Sequence, residues 1–130
     1  MVMDSTVLVP LLIALGAIPG ALSRYYLTVF CTQQQFGNNF PYGTLIVNLS
    51  GALLMGFFAA LFQSIGSSTP LSFLVMVGFL GSYTTFSTYE LDTSNLLRTG
   101  NYKKAFLYWF GSPVLGFVCV EIGMVLAQQL

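Results

Sequence analysis

Four runs of mostly apolar residues follow one another in a chain of 130, and they constrain the fold more than any other feature. A helix that crosses a membrane needs about 20 such residues. The runs fall at about 7–30, 43–65, 70–97 and 105–128. The polar connectors between them, CTQQQFGNNFPY, QSIGSSTP and RTGNYKK, are too short to hide a soluble domain. Only 6% of the residues are charged, whereas a soluble domain carries about 25%. A water-facing surface cannot be covered with so few charges. The predicted fold is therefore all-α: a four-helix integral membrane protein, one transmembrane domain over 1–130, surrounded by membrane lipid.

Several function classes drop out. Formal net charge is zero, so no nucleic-acid face and no acidic tail is indicated. Histidine is absent, and the cysteines, Cys31 near a helix end and Cys119 within a helix, are read as small apolar packers rather than a disulfide or metal pair. The spans hold no nucleophile–base pair, no paired carboxylates and no phosphate loop, so no enzyme is expected. The run VLVPLLIALGAIPGALS lacks the positive leader of a signal peptide, having only Asp4 before it, and continues past Arg24 to Phe30. It is expected to be a retained helix.

The third run is unusual. Its first part, LSFLVMVGFLG, is apolar, but GFLGSYTTFSTYE places Ser82, Thr84, Thr85, Ser87 and Thr88 among Phe86 and Tyr89, and Glu90 and Asp92 follow. Gly78 and Gly81 ahead of the Thr84–Thr85 pair predict a broken helix, since glycine is permissive and β-branched residues are mediocre helix formers. Irregular backbone inside a bilayer must be satisfied by protein or by a water-filled cavity, and broken membrane helices tend to expose carbonyls that bind cations. The alternative is an ordinary helix whose hydroxyls bond back to the preceding turn.

Other polar residues within the spans admit two readings each. Thr44, Asn48 and Gly51 share one face of the second helix; Asn48 is either a hydrogen bond between helices or an amide donor for an anion. Phe86 and Tyr89, three apart, stack on one side of a helix as core packing or as ring edges, which carry positive polarity, turned to an anion. Arg24 either snorkels toward an interface or faces a vestibule. Glu121 is an intramembrane carboxylate or lies wet at the boundary. Gly16 and Gly20 form a GxxxG pair, and Gly51, Gly56, Gly111, Gly116 and Gly123 further suggest close helix contacts.

Three ordered stretches, GALSRY at 20–25, YGTLIVNLSG at 42–51 and GFLGSYTTFST at 78–88, resemble the Fluc (CrcB) fluoride channels. The likeness runs nearly end to end. It implies passive, fluoride-selective conduction that lowers cytoplasmic fluoride, a plasma-membrane location, and an antiparallel, dual-topology dimer with pores at the subunit interface. It implies that Asn48 is the pore asparagine, that the ring edges of Phe86 and Tyr89 line the path, and that Ser87, Thr88, Thr44 and Tyr108 supply hydroxyls along it, with Arg24 in a vestibule. It further implies a structural, non-transported sodium ion, Na+, at the break, held by the backbone carbonyls of Gly81 and Thr84. Departures from the family pattern are Tyr89 at a usual Phe, Asp92 at a frequent Glu, and Glu90 at a small polar residue.

The alternatives are a small dual-topology drug or cation exporter, which would call for a carboxylate in the first helix where only Asp4 precedes it, and a non-conducting assembly subunit. The dimer is expected to be a homodimer, with a heterodimer between this chain and an oppositely oriented paralogue as the alternative. Arg98, Lys103 and Lys104 cluster at the third connector, and none of the Lys or Arg residues lies on the side of the termini, which predicts termini outside.

Overall fold

The computed structural model describes residues 3–34, 39–66 and 70–130; residues 35–38 and 67–69, in the first two connectors, lie outside the described residues. Among the described residues the regular structure is helical. Helix α1 spans Ser5–Gln33, α2 Tyr42–Ser64 and α6 Tyr102–Gln128. Between α2 and α6 a composite span covers Pro70–Arg98. It consists of α3 (Pro70–Ser72), a π-helical stretch (Phe73–Leu80), α4 (Gly81–Tyr83) and α5 (Phe86–Arg98). All four spans are long and apolar enough to cross a bilayer, as the sequence predicts, and the protein is a multi-pass membrane protein. The helices overrun the expected limits: α1 reaches Gln33 rather than residue 30, and α6 begins at Tyr102 rather than residue 105.

The third helix is broken, but not at its glycines. Gly81 is helical, at φ −63° and ψ −34°. The chain turns extended at Thr84, with ψ 155°, and at Thr85, with φ −146° and ψ 121°. Thr85 then caps α5, its hydroxyl oxygen accepting the Thr88 N–H at 3.3 Å, the usual role of a threonine ahead of a helix. The glycines serve packing instead. A Cβ on Gly78 would stand 2.6 Å from the Ile13 carbonyl oxygen, so α1 lies against the π-helical stretch at backbone distance. The GxxxG face of α1 meets the same span: Gly20 packs on Ser82, whose hydroxyl donates to the Ala17 carbonyl at 3.0 Å.

Helix α2 runs along α6 as the most extensive pairing of the molecule. Gly56 faces the Val120 carbonyl and Gly123 faces the Leu53 carbonyl, so the two backbones touch. Gly111 and Gly116 have open space around them and make no such approach, contrary to the expectation of close contact for them.

Side chains bury in separate clusters on either side of the break. Val47, Leu80 and Tyr83 pack together with α1 and α2 residues; Tyr89, Leu96, Ala105 and Tyr108 pack where α5 meets α6. Outward positions such as Leu15, Ile18 and Phe117 stay exposed, as residues facing hydrocarbon would. The two halves of the third span thus belong to different neighbours: the first to α1, the second to α6. The break is where they meet.

Candidate functional site

The extended residues at the break leave backbone groups outside any helical ladder, and side chains from α1 and α2 satisfy several of them. The Asn48 Nδ2 donates to the Thr85 carbonyl at 2.9 Å, and the Thr85 N–H donates to Asn48 Oδ1 at 2.8 Å. Arg24, reaching from α1, donates from Nη1 to the Thr84 carbonyl at 3.5 Å. Gly51, one turn beyond Asn48 on α2, makes room for the break: a Cβ there would lie 2.2 Å from Thr84 Cγ2.

Those bonds determine what happens to the carbonyls of Gly81 and Thr84. In a continuous helix the Thr85 N–H would close on Gly81 and the Thr88 N–H on Thr84. Here the first goes to Asn48 and the second to the Thr85 hydroxyl. Both carbonyl oxygens are released from the ladder, and neutral carbonyl oxygens are the donor set that suits a hard monovalent cation. The two carbonyls are thus of the donor type a sodium ion takes, although the Thr84 oxygen already accepts the Arg24 Nη1 at 3.5 Å.

Beside the clamp a groove of about 470 Å³ opens, walled by Asn48, Thr85, Phe86, Tyr89, Ser112 and Pro113 among others. The Phe86 and Tyr89 rings lie 5.7 Å apart at an interplanar angle of 42°. Tyr89 is buried, while Phe86 is 74% exposed on this single chain. The Thr85 hydroxyl donates to Thr88 at 3.0 Å and sits 3.4 Å from Ser87. That leaves the Thr88 hydroxyl hydrogen uncommitted to that contact and Ser87 exposed beside Phe86.

Toward the α5–α6 end lies a second polar cluster. Thr44 donates to Asp92 Oδ2 at 2.7 Å, and the Tyr108 hydroxyl approaches the same oxygen at 3.5 Å. The Tyr108 ring stands 5.2 Å from that of Tyr89. The shared face of Thr44 and Asn48 is thereby explained locally: both turn to α5, one to its capping residue and one to a carboxylate two turns on. Of the residues expected to act together, Asn48, Phe86 and Tyr89 wall one groove, whereas the Thr44 and Tyr108 hydroxyls are directed to Asp92. Glu121 is exposed on α6.

Sequence reasoning missed Ser112. It walls the groove, and its hydroxyl oxygen is buried with no hydrogen-bond partner, a state that demands explanation. Its spacing of one helical turn after Tyr108 is the signal that would have found it.

Residues 11–124 match the family described as CrcB-like protein, Camphor Resistance (CrcB). A fluoride-specific ion channel FluC of Trichormus variabilis is 48% identical, across 98% of this chain and 94% of its own length. A fluoride-specific ion channel FluC of a Synechococcus species is 49% identical, across 92% of each chain. One from a Synechocystis species is 47% identical, across 93% of each. A family match over most of the chain, with relatives this similar along nearly their whole length, means that this chain belongs to the CrcB family.

Proposed function

We propose that the protein is a fluoride-selective channel that lets fluoride leave the cytoplasm passively. The observation that carries this reading is the groove beside the break, where Asn48, two aromatic rings and the unpartnered Ser112 hydroxyl converge. An anion needs hydrogen-bond donors, and a small, strongly hydrated one needs them close. Ser112 and Thr88 offer hydroxyl hydrogens, the second Asn48 N–H remains after the bond to Thr85, and ring edges add positive polarity. A narrow path of this kind returns part of the hydration shell to fluoride and excludes larger halides. The named activity of the relatives supports the same ion.

The path is half-built in one chain. Phe86 and Ser87 face outward beside the groove, and a second copy in antiparallel orientation would close it. The same axis would bring a second pair of Gly81 and Thr84 carbonyls to complete a sodium site. The homodimer is the preferred assembly. Sodium would supply only positive charge to hold the broken helices together, while the residues of this chain do the conducting.

The test is fluoride efflux from liposomes holding the purified protein, followed with a fluoride-selective electrode and repeated with chloride. Efflux of fluoride without chloride is the expected result. Liposomes that hold fluoride as well as empty ones would overturn the reading.

A further inference from the structure

The Tyr89 hydroxyl donates to the backbone carbonyl of Trp109 on α6. Four residues beyond Trp109 stands Pro113, inside that helix. In an α-helix the N–H at that position would bond the Trp109 carbonyl. Proline has no N–H, so the carbonyl loses its helical donor. Within a membrane span such a group must be satisfied by a neighbouring helix, and the hydroxyl of Tyr89 does so.

This bond decides which part of Tyr89 meets the groove. The hydroxyl is committed to α6, and the ring is held between Phe86, at 5.7 Å, and Tyr108, at 5.2 Å. Tyr89 and Pro113 both wall the groove, while Trp109 lines the neighbouring cavity with Glu90 and Thr93, so the bond to its carbonyl anchors the Tyr89 ring from behind the groove wall.

We propose that Tyr89 is a positioning residue whose hydroxyl covers the carbonyl orphaned by Pro113 and thereby fixes the ring at the groove wall. The proposal rests on the fluoride reading and deepens it. Tyrosine at 89 and proline at 113 are on this account one device. A phenylalanine at 89 keeps the ring edge and loses only the cover.

The experiment is a double-mutant cycle in the full chain with Tyr89→Phe and Pro113→Ala. The second substitution restores an N–H to the carbonyl and makes the hydroxyl redundant. With Pro113 in place, Tyr89→Phe is expected to slow fluoride efflux on the order of tenfold, as for a hydrogen bond whose loss leaves an acceptor unsatisfied. Combined with Pro113→Ala, the same change should cost less than about twofold, the mark of coupled sites. Thermal unfolding in detergent reads the bond without any ion, and should show the same coupling. Equal effects of Tyr89→Phe in both backgrounds overturn the proposal. Coupling seen in unfolding alone, with efflux equal in all variants, overturns it too, since the bond would then not set the ring's place on the path. Failure of the unsubstituted protein to pass fluoride would overturn the channel reading itself, before any variant is compared.

Discussion

Asn48 and Thr85 hold each other in both directions, the amide donating to the threonine carbonyl at 2.9 Å and accepting its N–H at 2.8 Å. Only a short planar group with a donor and an acceptor side by side can do this. Asn48→Asp replaces the donor with an oxygen facing the Thr85 carbonyl. Expected outcomes are a fall in fluoride efflux of at least about tenfold and a loss of roughly 1–3 kcal/mol in stability, the cost of an unsatisfied buried group. Electrode traces and thermal unfolding check them. Normal efflux from the variant would remove Asn48 from the path.

Phe86 separates conduction from folding. The ring is 74% exposed, so Phe86→Ile should leave the helical circular-dichroism signal and the unfolding midpoint of the monomeric fold close to native. Efflux should nonetheless fall sharply, because isoleucine has no positive ring edge to offer. Full efflux would return Phe86 to a packing role.

Gly51 and Thr84 form a steric pair that a rescue experiment can expose. Gly51→Ala puts a Cβ 2.2 Å from Thr84 Cγ2 and should destabilise the break by about 1–3 kcal/mol, as over-packing does. Thr84→Ser removes the offending methyl and keeps the hydroxyl. The double variant should recover much of the lost stability; a purely additive result would mean that the clash lies elsewhere.

Thr44 supports Asp92 with the shorter of its two contacts, 2.7 Å against 3.5 Å for Tyr108. Thr44→Val keeps the shape and deletes the donor, and should cost about 1–3 kcal/mol of unfolding free energy. Thr44→Ser keeps the donor and should cost far less. Equal losses for the two would assign the effect to packing.

Orientation provides a prediction at the level of the cell. Arg24 is turned to the Thr84 carbonyl and does not belong to a connector. Arg98, Lys103 and Lys104 remain, clustered around the connector between α5 and α6, and the positive-inside rule draws such a loop to the cytoplasm. A reporter fused to the C-terminus is expected to give excess signal outside the cell, with a smaller inside population. Equal signals would dispose of the bias; an external signal alone, without fluoride export, would favour a heterodimer.

The spans were legible in the sequence because a bilayer demands long apolar runs, and the break because hydroxyls clustered where hydrocarbon should be. What stayed hidden depends on distant parts of the chain. The partners Asn48 and Thr85 are 37 residues apart, and Arg24 and Thr84 are 60 apart. No local pattern reports such pairs. The break falls at the Thr84–Thr85 pair, as read from the sequence, but the part played by the glycines ahead of it was hidden for a related reason: Gly78 lets α1 approach. Tyr89 was the plainest departure from the family pattern, and its hydroxyl made sense only once α6 placed the Trp109 carbonyl, with Pro113 one turn on, against it.

The long seam between α2 and α6 also dictates an order of events during synthesis. The small-residue face of α2 around Gly56 is completed by Val120 and Gly123, residues made only after the first three spans. Until then α2 enters the bilayer with its best partner missing, while α1 and the first half of the third span can already pair. Pairing of α2 therefore waits for the return of α6, so a chain stopped before residue 120 would lose the end of its fourth span, Tyr102–Gln128, together with the contact that gathers α2 to it.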